Sequence, residues 1–257
     1  MQNPIYFAEA TRNRFLGADP RTVAVVPIGA IEQHGAHLPV STDTLILHHV
    51  LDRAARACSR PVVVAPMIPF GYSPHHFCYP GVISLQSETV LSLLKDVGSS
   101  LIRSGFSRIL LLTGHGGNSH IIGQAARDLG CHNRGVVAAA AAYWDIARTP
   151  LTEKMRGLTP WIPGHAGLFE TSLVMAIRGE LVDTARLADA SMDEGEIASI
   201  LFTDLNKQAY FERHDYLLAI QGATDPAIHA SRELGEEILD IVQRELAVFI
   251  DAFSDHD

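Results

Sequence analysis

The amino-acid sequence predicts an α/β fold, a three-layer α/β/α sandwich built around a mainly parallel central sheet. Two observations support this prediction. Over the first 145 residues, short apolar runs rich in β-branched residues alternate with longer segments in which apolar residues recur at helical spacing. The short runs are apolar along their whole length, which is typical of parallel strands with helices packed on both faces of the sheet.

Each predicted strand is short and consists mainly of apolar or β-branched residues. They span residues 22–28, 61–66, 108–113 and 135–142. The helices between them are indicated by leucines at helical spacing or by a capping residue at the start. They run from Ser41 or Thr42 to about Arg56, over residues 86–104, and over residues 119–129.

The remainder of the chain is less regular. From Pro226 onwards, apolar side chains recur on roughly one face, which predicts a long C-terminal packing helix. Residues 145–225 show no such order, and we expect them to wall a pocket or to make subunit contacts. Because no internal repeat or linker-like run is present, residues 1–257 are predicted to form a single domain.

The composition limits the classes of partner and ligand. With 257 residues, of which 47% are hydrophobic, the chain can bury a sizeable core. The formal net charge is −9 and the acidic residues are scattered, so neither nucleic acid nor an anionic membrane is expected as a partner. The N-terminus lacks the pattern of a signal peptide, which predicts a soluble cytoplasmic protein. Thirteen histidines against three cysteines favour nitrogen and oxygen ligands over thiolates.

The densest polar cluster follows the first predicted strand. Glu32 and His34 are two residues apart, so in an extended segment their side chains leave on the same side and can hold neighbouring metal ions. Asp43, at the start of the next helix, can return to the same place. The alternative interpretation is that Asp43 only stabilises the N-terminus of a helix and that His34 is hydrogen-bonded within a turn. The location at the carboxyl end of a parallel strand favours the metal site.

A second cluster follows the strand predicted at residues 108–113. There His115 is followed by Gly116, Gly117 and Asn118 before the next helix. Glycines permit close backbone approach and leave amide N–H groups free to face an anion or an oxyanion. The spacing matches neither a P-loop nor a dinucleotide fingerprint. The alternative is a tight strand-to-helix turn in which the histidine is incidental.

A third cluster contains His165 and Glu170. Glu170 directly precedes an apolar helical stretch, and a buried carboxylate needs a positive partner or a metal ion. His165, five residues earlier, can exchange a proton near neutral pH over the same cavity. In the alternative, His165 is a histidine at a helix start that is bonded to the backbone.

Four motifs, in this order and spacing, closely resemble those of the creatininase (creatinine amidohydrolase) family: GAIEQHGAHLPVSTDT, GYSPHHFCYPGVISL, TGHGGN and HAGLFETS. The resemblance spans most of the chain. It implies an α/β sandwich enzyme with a two-metal site, assembled as a homohexamer, that hydrolyses non-peptide carbon–nitrogen bonds in small molecules. Carried across residue by residue, it implies that Asp43 bridges the two ions, with Glu32 and His115 on one, and His34 and Glu170 on the other.

The resemblance also implies the chemistry of the site. Three carboxylates and two imidazoles suit two divalent ions per subunit, which we expect to be zinc, manganese or iron. Such a pair activates a water molecule and polarises a substrate carbonyl. His165 would protonate the leaving nitrogen, and Glu170 would also help to accept the proton of the water. The Gly116 and Gly117 amides, with the side chain of Asn118, would stabilise the oxyanion.

The sequence departs from the founding enzyme of the family at two carboxylate positions, which are Gly117 and Gly164 here. It follows instead the version of the motifs found in members that act on formamides, on peptide-derived cofactor precursors or on other small rings. Creatinine is therefore not the expected substrate.

Several other residues lie in or beside the motifs. Trp161 is a candidate aromatic wall over a flat substrate, as is Trp144 or Tyr143, although each can equally be a packing residue. His76 is a candidate substrate or outer-shell group, together with His37 and His75, and the alternative for each is a structural role. The turn at Gly222, Asp225 and Pro226 also resembles the family and receives no chemical role.

Three functions follow as hypotheses. The first is hydrolysis of a cyclic amide or formamide in a small molecule. The second keeps the same metal site but opens a lactone or a cyclic ketone, since activated water does not require a leaving nitrogen. The third, from a different class, is a non-catalytic binding protein that retains the fold.

Overall fold

The computed structural model describes residues 4–189, 209, 211 and 216–256. Within these residues the sheet has five strands, and every neighbouring pair is parallel. In chain order the strands are β1 (Ile5–Tyr6), β2 (Val23–Ile28), β3 (Val62–Val64), β4 (Arg108–Thr113) and β5 (Val137–Ala142). The four predicted strands are all present. The pattern does not predict β1, because two residues are too few to show any periodicity.

Helices cover both faces of the sheet, as the sequence predicts. In chain order they are α1 (Thr42–Ala57), α2 (Ser87–Arg103), α3 (Ser119–His132), α4 (Tyr143–Ile146), α5 (Arg148–Met155), α6 (Leu168–Arg178), α7 (Tyr216–Ala219) and α8 (Arg232–Asp255). Val23 and Val25 of β2 point into a core shared with α1, α6 and α8, whereas Ala24 and Val26 point into a core shared with α2 and α3. This alternation along one buried strand produces the predicted three-layer sandwich.

The C-terminal helix begins later than predicted. It starts at Arg232 instead of Pro226, because the Ser231 side chain caps it by accepting a hydrogen bond from the Leu234 amide at 3.1 Å. The residues between Pro226 and Ser231 form turns. Residues 145–225 are also more helical than expected, since they contain α5, α6 and α7; much of the remainder of this range lies outside the described residues.

The strand order places one crevice at the centre of the molecule. The order is β1-β3-β2-β4-β5, so the chain leaves β2 to one side through α1 and later returns to its other side as β4. In open α/β sheets such a reversal opens a crevice at the carboxyl ends of the two strands, where ligands bind. Glu32 follows β2 and His115 follows β4, so the sequence motifs meet at this crevice. Among the described helices, none is long and apolar enough to cross a membrane.

Candidate metal centre

Five side chains converge in the crevice between β2 and β4. They are Glu32 and His34 from the segment after β2, Asp43 in the first turn of α1, His115 after β4 and Glu170 in the first turn of α6. Each of these residues is at most 4% exposed. The structure thus brings together all five residues that the sequence predicts as ligands.

Backbone carbonyls orient both imidazoles. Nδ1 of His34 donates to the carbonyl of Glu32 at 3.1 Å, and Nε2 of His115 donates to the carbonyl of Tyr72 at 3.1 Å. Each donation places the ring hydrogen on the outer nitrogen and leaves a lone pair on the inner one. A backbone acceptor of this kind is the usual support of a metal-binding histidine.

The inner nitrogens face carboxylate oxygens at short distances. Nε2 of His34 lies 3.1 Å from Oδ1 of Asp43, and Nδ1 of His115 lies 3.2 Å both from Oδ2 of Asp43 and from Oε1 of Glu32. Two acceptors at this distance repel each other unless a proton or a cation lies between them. Asp43 therefore lies between the two imidazoles, with one carboxylate oxygen facing each ring.

Unsatisfied oxygens also favour a cation. Among the described residues, Oε2 of Glu32 and Oδ2 of Asp43 are buried and accept no hydrogen bond of good geometry. A buried carboxylate oxygen without a donor is costly, and a divalent cation removes this cost. The set of two imidazoles and three carboxylates therefore fits divalent metal ions.

The potential ligand atoms fall into three groups. His34, Asp43 and Glu170 form one group, which matches the ligand set expected for one ion. Glu32 and His115 form a second group that also includes His75, which the sequence suggested as a substrate or outer-shell group and not as a ligand. A third group combines Glu32 and His34 with His165, so the expected acid lies directly beside the ligands.

The pKa shifts show how strongly these groups interact. Burial lowers the pKa of His34, but the carboxylates of Asp43 and Glu170 outweigh this effect and raise it to about 10. Burial also opposes the rise at His115, where Glu32 and Asp43 hold the pKa well above its ordinary value. Burial raises the pKa of Glu170 to about 8. The pKa of Asp43 is lowered despite burial, because His34 and His115 favour its charged form. Without metal, protons occupy the places that cations would take.

His165 lies above this cluster in a defined orientation. Its Nε2 donates to the backbone carbonyl of Gln33 at 2.9 Å and also lies 3.1 Å from the side-chain nitrogen of Gln33, while its Nδ1 faces Oε1 of Glu32 at 3.8 Å. Burial, reinforced by the neighbouring His34, lowers the pKa of His165 well below its ordinary value. The ring is therefore neutral near pH 7 and directs an unprotonated nitrogen towards the site.

Gln33 lies between two predicted ligands, and its role was not predicted from the sequence. Its amide nitrogen donates to Nδ1 of His76 at 3.2 Å, which leaves the hydrogen of His76 on Nε2, 3.2 Å from Oε1 of Glu32. His76 thus supports Glu32 instead of lining an open pocket. The sequence feature that could have indicated this role is the position of the Gln33 amide side chain between Glu32 and His34.

Asn118 in the glycine-rich turn is fully buried. Its amide nitrogen donates to the carbonyl of Gly29 and to the hydroxyl of Thr113, and its oxygen accepts from the Tyr72 amide. Both donors of the Asn118 side chain are therefore used within the protein, which favours a structural role that connects three segments. The oxyanion role of Asn118 stays a prediction.

The two glycines of the turn differ in their surroundings. A Cβ at Gly117 would lie 2.4 Å from Nε2 of His115 and 2.5 Å from the carbonyl of Tyr72, so only glycine fits there. Gly116 is exposed and has open space beside it. For both glycines, the oxyanion role stays a prediction.

Trp161 belongs to a small apolar cluster at one side of the site. The cluster consists of Cys78, Tyr79, Trp161, Tyr216, Leu217 and Ile220. The indole Nε1 of Trp161 is buried and has no acceptor among the described residues. Trp144, the other candidate wall, is 5% exposed and packs in the main core.

Comparisons with known proteins agree with this geometry. The model of the family described as creatininase, creatinine amidohydrolase, matches residues 8–250. The chain is 30% identical over 248 residues to a creatinine amidohydrolase of Pseudomonas putida, covering 88% of this chain and 87% of the relative. It is 32% identical over 169 residues to a mycofactocin precursor peptide peptidase of Mycolicibacterium smegmatis, covering 64% of this chain and 62% of the relative.

Solved structures are similar over the whole chain. A crystal structure of creatinine amidohydrolase superimposes with a TM-score of 0.78 at 27% identity, covering 100% of both chains. A manganese form of creatininase gives a TM-score of 0.78 at 27% identity, covering 98% of this chain and 100% of the other. A mutant creatininase of Zn–Zn type gives 0.76 at 26% identity, covering 99% and 100%.

Proposed function

The chain belongs to the creatininase family of hydrolases that act on carbon–nitrogen bonds, and we propose that it uses two divalent ions to cleave such a bond in a small cyclic amide or formamide. The observation that supports this proposal is the position of Asp43, whose two carboxylate oxygens face the inner nitrogens of His34 and His115 at 3.1 and 3.2 Å. A single carboxylate placed between two imidazole lone pairs is the arrangement that a bridging ligand requires.

The ligands divide into two sets around Asp43. Glu32 and His115 would hold one ion, and His34 and Glu170 would hold the other. The donors are nitrogen and oxygen only, so zinc, manganese and iron all suit them. When bound, the ions supply Lewis acidity, which polarises the substrate carbonyl and lowers the pKa of water.

The protein supplies the proton transfer. In amide hydrolysis the C–N bond breaks, the oxygen of water joins the carbonyl carbon, and a proton of that water reaches the leaving nitrogen. Nδ1 of His165 is unprotonated and faces the site, so it accepts this proton from water and delivers it to the nitrogen. The bond from Nε2 of His165 to the Gln33 backbone carbonyl holds the ring with Nδ1 towards the site both before and after Nδ1 takes up the proton.

The charges of the site suit a small substrate without a strong negative charge. In the described part of the chain, the ion pairs of Glu32, Asp43 and Glu170 are formed with histidines and with no Lys or Arg. The apolar cluster around Trp161 provides one wall against which a flat ring can pack. By resemblance to the family we also propose a homohexamer located in the cytoplasm, and light scattering tests the assembly.

One experiment separates this proposal from its alternatives. The purified protein is stripped with chelator, reloaded with Zn²⁺ or Mn²⁺, and incubated in ¹⁸O-labelled water with cyclic amides, N-formyl amines and lactones. The proposal requires about two ions per chain and ¹⁸O in the newly formed carboxylate together with a free amine, both in one ring-opened product for a cyclic amide and in two separate products for a formamide. Products without nitrogen would favour the lactone or ketone hydrolase. Less than one ion per chain, with no turnover, would favour the binding protein.

Two ligand variants complete the experiment. Glu32→Ala and Asp43→Ala each remove one carboxylate of the cluster, so both should lose metal and turnover together. Unchanged metal content and turnover in both variants would contradict the proposal.

A further inference from the structure

A turn formed by residues 221–225, here called the Thr224 turn, packs against the segment that carries His165. No chemical role was predicted for this turn from the sequence motifs. Thr224 is 7% exposed and Asp225 is 3% exposed, although both residues are polar and lie between α7 and α8. Buried polar side chains outside regular structure have specific hydrogen-bond partners in native proteins.

Thr224 pairs with the backbone of His165 in both directions. The His165 amide donates to Oγ1 of Thr224 at 2.7 Å, and the Thr224 amide donates to the carbonyl of His165 at 2.9 Å. Both backbone polar groups of the residue that carries the proton are therefore held by one partner, 59 positions away in the chain.

Asp225 completes the hydrogen-bond chain. Its Oδ1 accepts from the hydroxyl of Thr224 at 2.9 Å, and its Oδ2 accepts from the Leu168 amide at 3.1 Å, at the start of α6. Because the hydroxyl hydrogen of Thr224 points to Asp225, an oxygen lone pair of Thr224 is left to accept from His165. Asp225 thereby links the first turn of α6, which contains Glu170, to the backbone of His165.

The segment around His165 is shaped to fit this turn. A Cβ at Gly167 would lie 1.8 Å from Oδ1 of Asp225, and a Cβ at Gly164 would lie 2.6 Å from Oγ1 of Thr224. Between them, Ala166 has a φ of 53°, a left-handed conformation that costs a non-glycine residue about 1–2 kcal/mol. Such backbone persists where surrounding contacts determine it fully, and it concentrates at functional sites.

The same turn also reaches the ring of His165 indirectly. The amide nitrogen of Gln33 donates to the carbonyl of Gly222 at 3.4 Å, and the carbonyl of Gln33 accepts from Nε2 of His165. Both the backbone and the ring of His165 therefore depend on contacts that pass through residues 222–225.

We propose that Thr224 and Asp225 are positioning residues, which hold the backbone of His165 so that its Nδ1 faces the leaving nitrogen of the substrate. This inference rests on the proposed function of His165 as the proton donor. A proton transfer by a positioned side chain contributes about 10²–10⁴-fold to rate, and a displacement of about 1 Å can cost about 10²-fold. Loss of either contact should therefore act on the step in which the nitrogen leaves.

The test compares two substrates of the metal-loaded enzyme that differ only in the leaving group. One releases a basic amine, which needs protonation, and the other releases an activated anilide nitrogen, which does not. For Thr224→Val and Asp225→Asn we expect kcat to fall about 10–100-fold on the first substrate and less than about threefold on the second. KM and metal content should stay at the wild-type level, and Thr224→Ser, which keeps the hydroxyl, should restore kcat.

Controls separate positioning from a loss of folded protein. Ser254→Ala removes an equally buried hydroxyl that donates to the Arg21 carbonyl far from the site, and it should leave both substrates unaffected. A general structural defect would lower both substrates equally, and this result would overturn the inference, as would wild-type kcat in both variants. If Thr224→Val does not fold, the comparison of the two substrates is made with Asp225→Asn alone.

The variant His165→Asn distinguishes this inference from the function on which it rests. If His165→Asn retains full turnover on the basic-amine substrate, the proposed role of His165 is wrong, and the inference falls with it. If His165→Asn loses turnover while Thr224→Val and Asp225→Asn do not, only the positioning role is wrong.

Discussion

Oδ1 of Asp43 and Nε2 of His34 lie 3.1 Å apart in a site where both side chains are at most 3% exposed. The ring hydrogen on Nδ1 of His34 is used in its bond to the Glu32 carbonyl, so the two atoms face each other as acceptors unless a proton or a metal cation lies between them. The short distance between these two atoms therefore indicates that the site holds a positive charge between the Asp43 carboxylate and the His34 ring.

The first prediction concerns the charge of Asp43. Asp43→Asn keeps the size of the side chain but replaces one oxygen by a donor, which cannot bind a cation. We expect metal content to fall below one ion per chain and turnover to fall more than about 100-fold, since even outer-shell changes cost about 10–100-fold. Metal analysis after gel filtration measures this. Asp240→Asn, which affects an exposed ion pair with Arg53, should change neither quantity.

The second prediction concerns pH and the metal-free protein. The pKa of His34 is raised to about 10 and that of Glu170 to about 8, so the folded state binds more protons than the unfolded state above pH 7. Stability therefore falls as pH rises. Each group contributes at most about 1.4 kcal/mol per pH unit. We expect the midpoint of urea unfolding in chelator to decrease between pH 7 and pH 9.

Among the described residues, the groups whose pKa is lowered do not reverse this sign in the same pH window. The pKa values of His76 and His165 are lowered, so these residues affect stability only below about pH 6.5. Bound metal replaces the protons, so the stabilisation by added Zn²⁺ should increase over the same range. A metal-free midpoint that is constant or rises between pH 7 and pH 9 would contradict the assigned contacts.

The third prediction tests the structural role of Asn118. Asn118→Ala leaves two backbone groups, the carbonyl of Gly29 and the amide of Tyr72, without their partner in a buried place. The expected loss in free energy of unfolding is about 2–4 kcal/mol. Asn133→Ala, whose amide donates to the Leu129 carbonyl at a half-buried position, should cost about 1 kcal/mol or less.

Measurements of kcat distinguish this structural role of Asn118 from the oxyanion role that the sequence suggested. Loss of an oxyanion donor lowers kcat by about 10²–10³-fold, whereas loss of a structural tie should lower kcat of the folded, metal-loaded enzyme by less than about tenfold. A large fall in kcat without a fall in stability would restore Asn118 as an oxyanion group.

Sequence patterns predict those parts of the protein whose structure is determined by residues close together in the chain. The buried strand β2 and the motif after it show their character within about ten residues, and parallel topology then places Glu32 and His115 at the same edge. The start of α8 at Arg232 escaped prediction because apolar spacing continues through a turn, and only the cap at Ser231 sets the boundary.

Contacts between distant segments escape such patterns. The hydrogen bonds from Gln33 to His76 and from His165 to Thr224 join residues 43 and 59 positions apart, and neither residue type indicates its partner. The bond between Asn118 and the Tyr72 amide was not predicted for the same reason, because the two residues lie 46 positions apart. The proposed metal ligands can thus be predicted from motifs, whereas the groups that orient them become visible only in the fold.

The last prediction concerns the indole of Trp161, whose buried Nε1 has no acceptor among the described residues. An unpaired buried donor costs about 1–3 kcal/mol, which a substrate acceptor at that place would recover on binding. Trp161→Phe keeps an aromatic ring but removes the donor. We expect KM to rise about tenfold with kcat nearly constant, and the unfolding free energy without substrate to change by less than about 1 kcal/mol.

Trp144→Phe, in the main core, should instead lower stability without changing KM. Steady-state kinetics and urea unfolding of both variants measure the difference, and a wild-type KM for Trp161→Phe would show that the substrate accepts no hydrogen bond from this indole.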